Sequence, residues 1–162
     1  MSSSAEAALN ARRDGDEGPP FVGALLRLCV RRIRTRIDAA IRAAGFADLH
    51  ETHLGVFSCP VPDGVRPSEL ARHLHKTRQT TNYVITQMEA LGYLERRPIE
   101  GGDRRLVYLT PRGWAVVETI CACSREVQAE WSQEIGPERF RDLVRTLRLL
   151  AGAEPRRPGS AR

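Results

Sequence analysis

Residues 66–112, RPSELARHLHKTRQTTNYVITQMEALGYLERRPIEGGDRRLVYLTPR, contain the clearest structural pattern in the chain. The start of this stretch predicts a short amphipathic helix over residues 67–74, and a second helix is predicted to run on to about Leu91. Thr77 is a good N-cap for the second helix, because its hydroxyl can accept hydrogen bonds from free N–H groups of the first turn. Two helices joined by so short a turn form a helix-turn-helix, whose second helix enters the major groove of DNA.

The second helix of this stretch has an apolar side and a polar side. The apolar residues recur at helical spacing: Thr81, Val84, Ile85, Met88 and Leu91. Gly92 follows and ends the helix. The polar side offers groups that can bond to base edges or phosphates, although an ordinary solvated helix face would have a similar composition. We expect DNA contacts from Thr77, Arg78, Gln79, Thr80, Asn82, Tyr83 and Thr86.

A β-hairpin is predicted directly after the second helix. Residues 93–97 and 106–109 have the composition of strands, and residues 98–103 join them. A helix-turn-helix followed by a hairpin with a basic tip is a winged helix, so the predicted fold class is mainly α with a small β-hairpin wing. The narrow minor groove attracts arginine, and the tip residues expected to reach it are Asp103, Arg104 and Arg105. The alternative is a surface ion pair on a loop, which contributes little to stability.

The order and spacing of these motifs resemble those of the MarR family of bacterial transcriptional regulators. The matching residues are Leu70-Ala71, Leu74-x-x-Thr77, Thr80-Thr81-Asn82, Met88-Glu89, Leu91-Gly92-Tyr93-Leu94, Asp103-Arg104-Arg105 and Leu109-Thr110-x-x-Gly113. The resemblance implies a ligand-responsive regulator, most often a repressor, which binds an inverted-repeat operator in double-stranded DNA as a homodimer. It also implies that Asp103 orients Arg105 for the minor groove, with Arg104 nearer to phosphate.

Amphipathic helices are predicted on both sides of the winged helix. The predicted divisions are a polar, disordered tail over residues 1–20, N-terminal helices over 21–60, the DNA-binding winged helix over 61–112, C-terminal helices over 113–151 and a basic tail over 152–162. The apolar sides of the terminal helices exceed what one small winged helix can bury. A two-fold homodimer would cover them and set two recognition helices about one DNA turn apart.

Composition and charge agree with DNA binding inside the cell. The formal net charge is +5, and the positive excess lies on residues 21–45 (+5) and 66–112 (+4), as is typical of proteins that bind phosphate. No apolar run has the ~20 residues of a membrane span, and the first residues form no apolar signal core. The spacing of the four cysteines fits no disulfide framework. We therefore expect a cytoplasmic protein that is nucleoid-associated when bound to DNA.

A small-molecule site is implied by the same resemblance. MarR-like regulators bind small, often aromatic or lipophilic, effectors between the terminal helices and the winged helix. The candidate lining residues are Leu26, Val30, Ile33, His53, Phe57 and Trp114. Core packing would explain most of these residues equally well.

Other functions have less support in the sequence. No phosphate loop, nucleophile elbow or acid–base pair is evident, so we predict no catalytic residues, no cofactor and no enzyme activity. His50 and His53 have the spacing of zinc ligands without a third ligand, so no metal site is predicted. A redox-sensing regulator acting through Cys29 is one alternative. Cys29 would instead be a buried structural thiol if it only packs in the core. A winged-helix protein-interaction module without DNA binding is another.

Overall fold

A computed structural model of the chain describes residues 20–58, 63–98 and 105–152. Within these ranges the chain forms six helices and a two-stranded antiparallel sheet, which confirms the predicted fold class. The elements are α1 (Val22–Ala43), α2 (Glu51–Phe57), α3 (Pro67–His73), α4 (Arg78–Ala90), β1 (Leu94–Pro98), β2 (Arg105–Leu109), α5 (Pro111–Ile135) and α6 (Pro137–Leu150). Most of both predicted tails, and the hairpin tip with Asp103 and Arg104, lie outside the described residues. None of the helices described is long and apolar enough to cross a membrane.

The predicted helix-turn-helix is formed by α3 and α4. Thr77 caps α4 as expected, since its Oγ1 accepts a hydrogen bond from the Thr80 backbone N–H at 3.1 Å. The turn between the helices passes through His75, whose φ of 50° is uncommon for a residue other than glycine. Four α4 residues then enter the core: Thr81, Val84, Ile85 and Met88. Burial of this side fixes which side of α4 faces solvent.

The hairpin is tied to the segment that precedes α3. β1 and β2 pair antiparallel, with Leu94 opposite Leu109. Val65 adds an isolated bridge to Val107, and the two backbone hydrogen bonds between them are both 2.9 Å long. The helix-turn-helix and the wing therefore form one unit, because the chain entering the first is bonded to a strand of the second.

Tyr93 lies within the hydrophobic core and is completely buried. Its ring makes edge contacts with Phe46 and Phe57, whose ring centroids are 6.1 and 6.2 Å away. The rest of the core comes from every element except α6: Ile41, Leu49, Val56, Leu70, Val84, Ile85, Met88, Leu94, Val107, Val116 and Val117, with Leu109 packed against them. One core therefore joins the winged helix to the helices on either side of it.

The Leu-Thr-x-x-Gly segment at residues 109–113 connects the hairpin to α5 through hydrogen bonds and a close backbone contact. Thr110 Oγ1 donates to the Gly92 carbonyl at 2.6 Å and accepts from the Gly113 N–H at 3.1 Å. The Thr110 N–H donates to the Tyr93 carbonyl at 3.1 Å. Gly113 is buried against the same carbonyl, since a β-carbon at Gly113 would lie 2.3 Å from that oxygen. Only glycine fits there, because the obstructing atom belongs to the backbone.

The terminal helices are joined mainly through α5. α1 runs beside α5, and Arg36 donates two hydrogen bonds to the Glu130 carboxylate, at 2.8 and 2.9 Å. Arg32 lies over the Trp131 ring, with its guanidinium carbon 5.6 Å from the centroid. α6 packs against α5, yet none of the residues of α6, all of which are described, is buried. Apolar side chains of α6 and of the first half of α1 are therefore exposed to solvent.

We predict that Gly113→Ala destabilises the fold strongly, because its methyl group would collide with the Tyr93 carbonyl rather than with a movable side chain. The free energy of unfolding should fall by about 2 kcal/mol or more, measured by urea unfolding. Gly23→Ala is the matched control, since its β-carbon would come only within 4.0 Å of the flexible Arg27 side chain. This control should leave stability unchanged or slightly raised. Wild-type stability of Gly113→Ala would contradict the packing described here.

Candidate nucleic-acid interface

The solvent-facing side of α4 carries every residue predicted to contact DNA from this helix and its cap. All seven are exposed: Thr77, Arg78, Gln79, Thr80, Asn82, Tyr83 and Thr86. We call this set the polar ridge. The residues on the other side of α4 are buried, so the ridge cannot turn inward without emptying the core.

Hydroxyl groups hold the first turn of the polar ridge in place. The Oγ1 atoms of Thr77 and Thr80 lie 2.8 Å apart, and Thr81 Oγ1 donates to the Thr77 carbonyl at 3.0 Å. Arg78 and Gln79 stand on this ordered turn. The first turn of a recognition helix is the part that approaches base edges in helix-turn-helix proteins. The structure therefore offers a guanidinium and an amide at the place where base contacts are made in that geometry.

Arg105 is the member of the predicted wing tip that falls within the described residues. It is exposed and begins β2 opposite Pro98, the last residue of β1. Asp103 and Arg104 lie outside the described residues, so the orientation of Arg105 by Asp103 stays a prediction.

Ion pairs brace the wing against α4. Arg96 on β1 donates to Glu89, near the end of α4, at 2.5 Å, and both side chains are only about a quarter exposed. Arg97 pairs with Glu95 and lies over the Tyr108 ring, 4.9 Å from its centroid. The Arg96–Glu89 contact restrains the angle between α4 and the hairpin, which sets where the two could meet a duplex.

A cluster of Asp48, Tyr93 and Arg112 lies behind the interface. The Tyr93 hydroxyl donates to Asp48 Oδ1 at 2.5 Å. Arg112 donates to Asp48 Oδ2 at 2.8 Å and to the Tyr93 hydroxyl oxygen at 3.0 Å. The cluster joins the α1–α2 connection, the start of the hairpin and the first turn of α5. No local pattern predicts this cluster, because Asp48 lies 45 residues from Tyr93 and 64 from Arg112 and no motif links them.

The contacts in this cluster shift the pKa values of its members. The hydrogen bond from Tyr93, and also the positive charge of Arg112, lower the pKa of Asp48 below 3.8. Burial, and then the hydrogen bond to Asp48, raise the pKa of Tyr93 above 10.0. The hydrogen bond to Tyr93 and the charge of Asp48 raise the pKa of Arg112. At neutral pH the cluster therefore contains a carboxylate, a neutral phenol and a guanidinium.

The six residues predicted to line an effector site fall into two groups. Leu26 and Val30 lie on the first half of α1, where 40% and 45% of each residue is exposed. Both residues are exposed because the helix reaches the core only near its end, at Ile41. The other four are buried or partly buried: Ile33, His53, Phe57 and Trp114. Their role in an effector site stays a prediction.

The cysteines differ in their exposure. Cys29 is partly buried, Cys121 is exposed and Cys123 is buried. Burial raises the pKa of the Cys123 thiol, which disfavours the reactive thiolate. Within residues 20–58, 63–98 and 105–152, no group of three or more His, Cys, Asp or Glu side chains could hold a metal ion.

The chain is similar in sequence to known transcriptional regulators. A sequence model described as the MarR family matches residues 61–106, which span the helix-turn-helix and most of the wing. The transcriptional activatory protein BadR of Rhodopseudomonas palustris is 29% identical over 124 residues, which are 75% of this chain and 70% of that protein.

Solved structures share the fold. A MarR family protein of Mycobacterium tuberculosis, solved in complex with salicylic acid, is 27% identical, with a TM-score of 0.59 over 83% of this chain and 98% of that one. A transcriptional regulator from Thermotoga maritima is 20% identical and has the same fold, with a TM-score of 0.58 over 80% of this chain and 91% of that one.

The pKa shifts of Asp48 and Tyr93 predict how stability depends on pH. Asp48→Asn should lower the free energy of unfolding at neutral pH. Its effect should shrink as the pH falls below 3.8, because unfolding of the wild type then takes up a proton at Asp48, whose pKa is lower in the folded state. The effect of Tyr93→Phe should shrink above pH 10.0, where unfolding releases the phenolic proton of the wild type. Urea unfolding in acid, neutral and alkaline buffers measures both differences.

Asp142→Asn is the control for this pH series, because Asp142 forms an exposed ion pair with Arg145 on the same helix. Such a pair contributes little to stability, so this variant should follow the wild type at every pH. An effect of Asp48→Asn that is the same in acid and neutral buffer would contradict the role given to its charge.

Proposed function

From the premise that this chain is a transcriptional regulator of the MarR family, we propose that it binds an inverted-repeat operator in double-stranded DNA as a homodimer. The strongest support is the division of α4 into a buried apolar side and the exposed polar ridge. In this arrangement α4 enters the major groove and the wing reaches the neighbouring minor groove. The proposal needs no catalytic residue, cofactor or metal ion.

Arg78, Gln79 and Asn82 are the proposed base-reading residues. A guanidinium can donate to both acceptors of guanine, and a side-chain amide can pair with the donor and acceptor of adenine. Thr77 and Thr80 are the proposed phosphate contacts, because they stand where free backbone N–H groups of the helix also favour an anion.

The wing and the charge of the winged helix supply the second part of the proposed interface. Arg105 is the proposed minor-groove contact, oriented by Asp103, with Arg104 near phosphate. Residues 66–112 have an excess of four positive charges. Contacts between such charges and phosphates release counterions, so the proposed binding should weaken as salt concentration rises.

The exposed apolar surface of the terminal helices supports the homodimer. Leu143, Leu147 and Leu150 recur along one side of α6, and all three are exposed. α1 adds further exposed apolar residues: Val22, Leu25, Leu26, Leu28 and Val30. Exposed apolar side chains in such number are unfavourable in water, and a two-fold partner would cover them. Two copies of α4 could then face two half-sites on one side of the duplex.

We propose repression as the regulatory effect, as the resemblance to MarR-like repressors implies. Activation is the second candidate, because the relative from Rhodopseudomonas palustris is named an activatory protein. A reporter gene placed behind the promoter that carries the selected operator separates the two. Loss of the regulator raises reporter output if it represses and lowers output if it activates.

A small aromatic or lipophilic molecule is the proposed effector. The similar protein from Mycobacterium tuberculosis was solved with salicylic acid, which supports an aromatic acid as the first class to test. The proposed lining residues are Leu26, Val30, Ile33, His53, Phe57 and Trp114. Such a molecule regulates DNA binding only if it binds the DNA-competent and DNA-incompetent arrangements with unequal affinity.

We predict that Arg78→Ala and Gln79→Ala each weaken operator binding by about 5- to 150-fold, the equivalent of ~1–3 kcal/mol for a base contact. The operator is first selected from random duplex DNA, and fluorescence anisotropy then gives each Kd. Arg125→Ala and Gln128→Ala are the matched controls, because they remove the same side chains from exposed positions on α5. Failure of the wild type to bind any duplex at low salt would favour a protein-interaction module instead.

The dimer is tested by Leu147→Glu combined with Leu150→Glu. Two carboxylates on the apolar side of α6 should prevent its burial, so light scattering should report a monomer, and binding to the inverted repeat should be lost. Arg148→Glu is the control, since Arg148 is exposed on the other side of the same helix. A double variant that stays dimeric would contradict the proposed interface.

A further inference from the structure

His53 is a fully buried polar side chain that packs beneath α4. It is 2% exposed, and each of its ring nitrogens has a partner. Nδ1 accepts a hydrogen bond from the His50 backbone N–H at 3.2 Å. An amide N–H can only donate, so Nδ1 carries no proton and the single ring proton is on Nε2.

The position of that proton fixes the direction of two further hydrogen bonds. His53 Nε2 lies 3.3 Å from Gln87 Oε1 and donates to it. Gln87 then presents its amide nitrogen to the other side, where Nε2 donates to the Tyr83 hydroxyl oxygen at 3.0 Å. Because this oxygen already accepts, the O–H proton of Tyr83 is left to donate elsewhere.

Tyr83 belongs to the polar ridge and is 65% exposed. Its O–H proton can therefore donate to an acceptor outside the chain. If α4 lies in the major groove, the nearby acceptors are phosphate oxygens and the base-edge atoms of guanine, adenine and thymine. Without Gln87 beside it, no neighbouring donor would select between the two in-plane orientations of the hydroxyl, and its oxygen could accept as readily as its proton could be donated.

We propose that His53 and Gln87 are positioning residues that hold Tyr83 as a hydrogen-bond donor toward an acceptor atom on duplex DNA. We call His53, Gln87 and Tyr83 the relay. Their hydrogen bonds lead from α2, which carries His53, to Tyr83 on the polar ridge. This inference rests on the DNA binding proposed above and adds a chemical preference to it. A fixed donor favours positions that present guanine, adenine N7 or thymine O4, and it disfavours the amino group of cytosine.

A double-mutant cycle tests the coupling between Gln87 and Tyr83. The variants are Tyr83→Phe, Gln87→Met and the two combined, since Phe and Met keep the size of the original side chains. Each single variant should weaken operator binding about five- to tenfold, the loss of roughly one hydrogen bond. The combined variant should bind no more weakly than Tyr83→Phe, because Gln87 acts only through the hydroxyl. Gln128→Met on α5 is the matched control and should bind as the wild type does.

The pattern of lost preference identifies the acceptor on DNA. If a base edge accepts the proton, Tyr83→Phe and Gln87→Met should lose the same preference at the same base pair of the operator. If a phosphate oxygen accepts it, both variants should weaken all duplex sequences equally. The salt dependence of binding should stay unchanged in either case, because a neutral phenol releases no counterion.

Substitutions at His53 test the far end of the relay. His53→Leu removes the donor to Gln87 and should reproduce the affinity and base preference of Gln87→Met. His53→Gln keeps an N–H donor and should restore both toward wild-type values. Thermal unfolding establishes that each variant is folded, and Gln87→Met, at a half-buried position, carries the test if His53→Leu does not fold.

The relay would be overturned if the affinity losses of Tyr83→Phe and Gln87→Met were additive in the combined variant. It would also be overturned if Tyr83→Phe kept the affinity and base preference of the wild type. In both cases the wild-type protein would still bind DNA. A wild-type protein that bound no duplex would instead overturn the proposed function and the relay together. The wild-type titration therefore separates the two failures.

Discussion

Tyr93 is buried where α4, the hairpin and α5 meet, and its contacts hold these elements together. Its ring is enclosed between Phe46 and Phe57, and its hydroxyl is bound by Asp48 and Arg112. Its carbonyl accepts from the Thr110 N–H and leaves no room for a side chain at residue 113. Tyr93 stands between the end of α4 and the start of β1, so these contacts fix the helix, the hairpin and α5 relative to one another. A phenol with no exposed surface requires its hydroxyl to be hydrogen-bonded, which explains why a carboxylate and a guanidinium from distant segments converge on it.

This rigid junction has a direct consequence for recognition. Hydrogen bonds to base edges depend on side chains held in place before binding, since ordering them afterwards costs conformational entropy. The polar ridge is held in place before binding, because the opposite side of its helix has four buried residues and the Glu89–Arg96 ion pair joins the helix to β1. His53 and Gln87 extend the same principle to one hydroxyl group, whose direction is set by partners rather than by free rotation. The support for the interface thus lies largely in residues that touch no DNA in the proposed complex.

The molecule has two exposed surfaces of opposite chemistry. The polar ridge offers donors, acceptors and positive charge, whereas α6 and the first half of α1 expose leucine and valine side chains. Water solvates the first surface well and the second poorly, so the second is the one that gains most from covering by another copy of the chain. The second surface lies outside the hydrophobic core, because neither α6 nor the first half of α1 contributes a buried residue to it.

Local sequence patterns were enough to predict the elements of this fold and the residues that form the polar ridge. Helical spacing, the Thr77 cap and Gly92 depend on neighbours a few residues away, and the structure places both helices of the helix-turn-helix and the hairpin within a residue or two of expectation. Folding produced three features that no local pattern predicts: the Asp48–Tyr93–Arg112 cluster, the contact of His53 with Gln87, and the exposure of Leu26 and Val30. An apolar stripe has the same period whether it faces its own core or a partner. The partner of a buried polar group is likewise fixed by how distant segments meet, which local spacing does not encode.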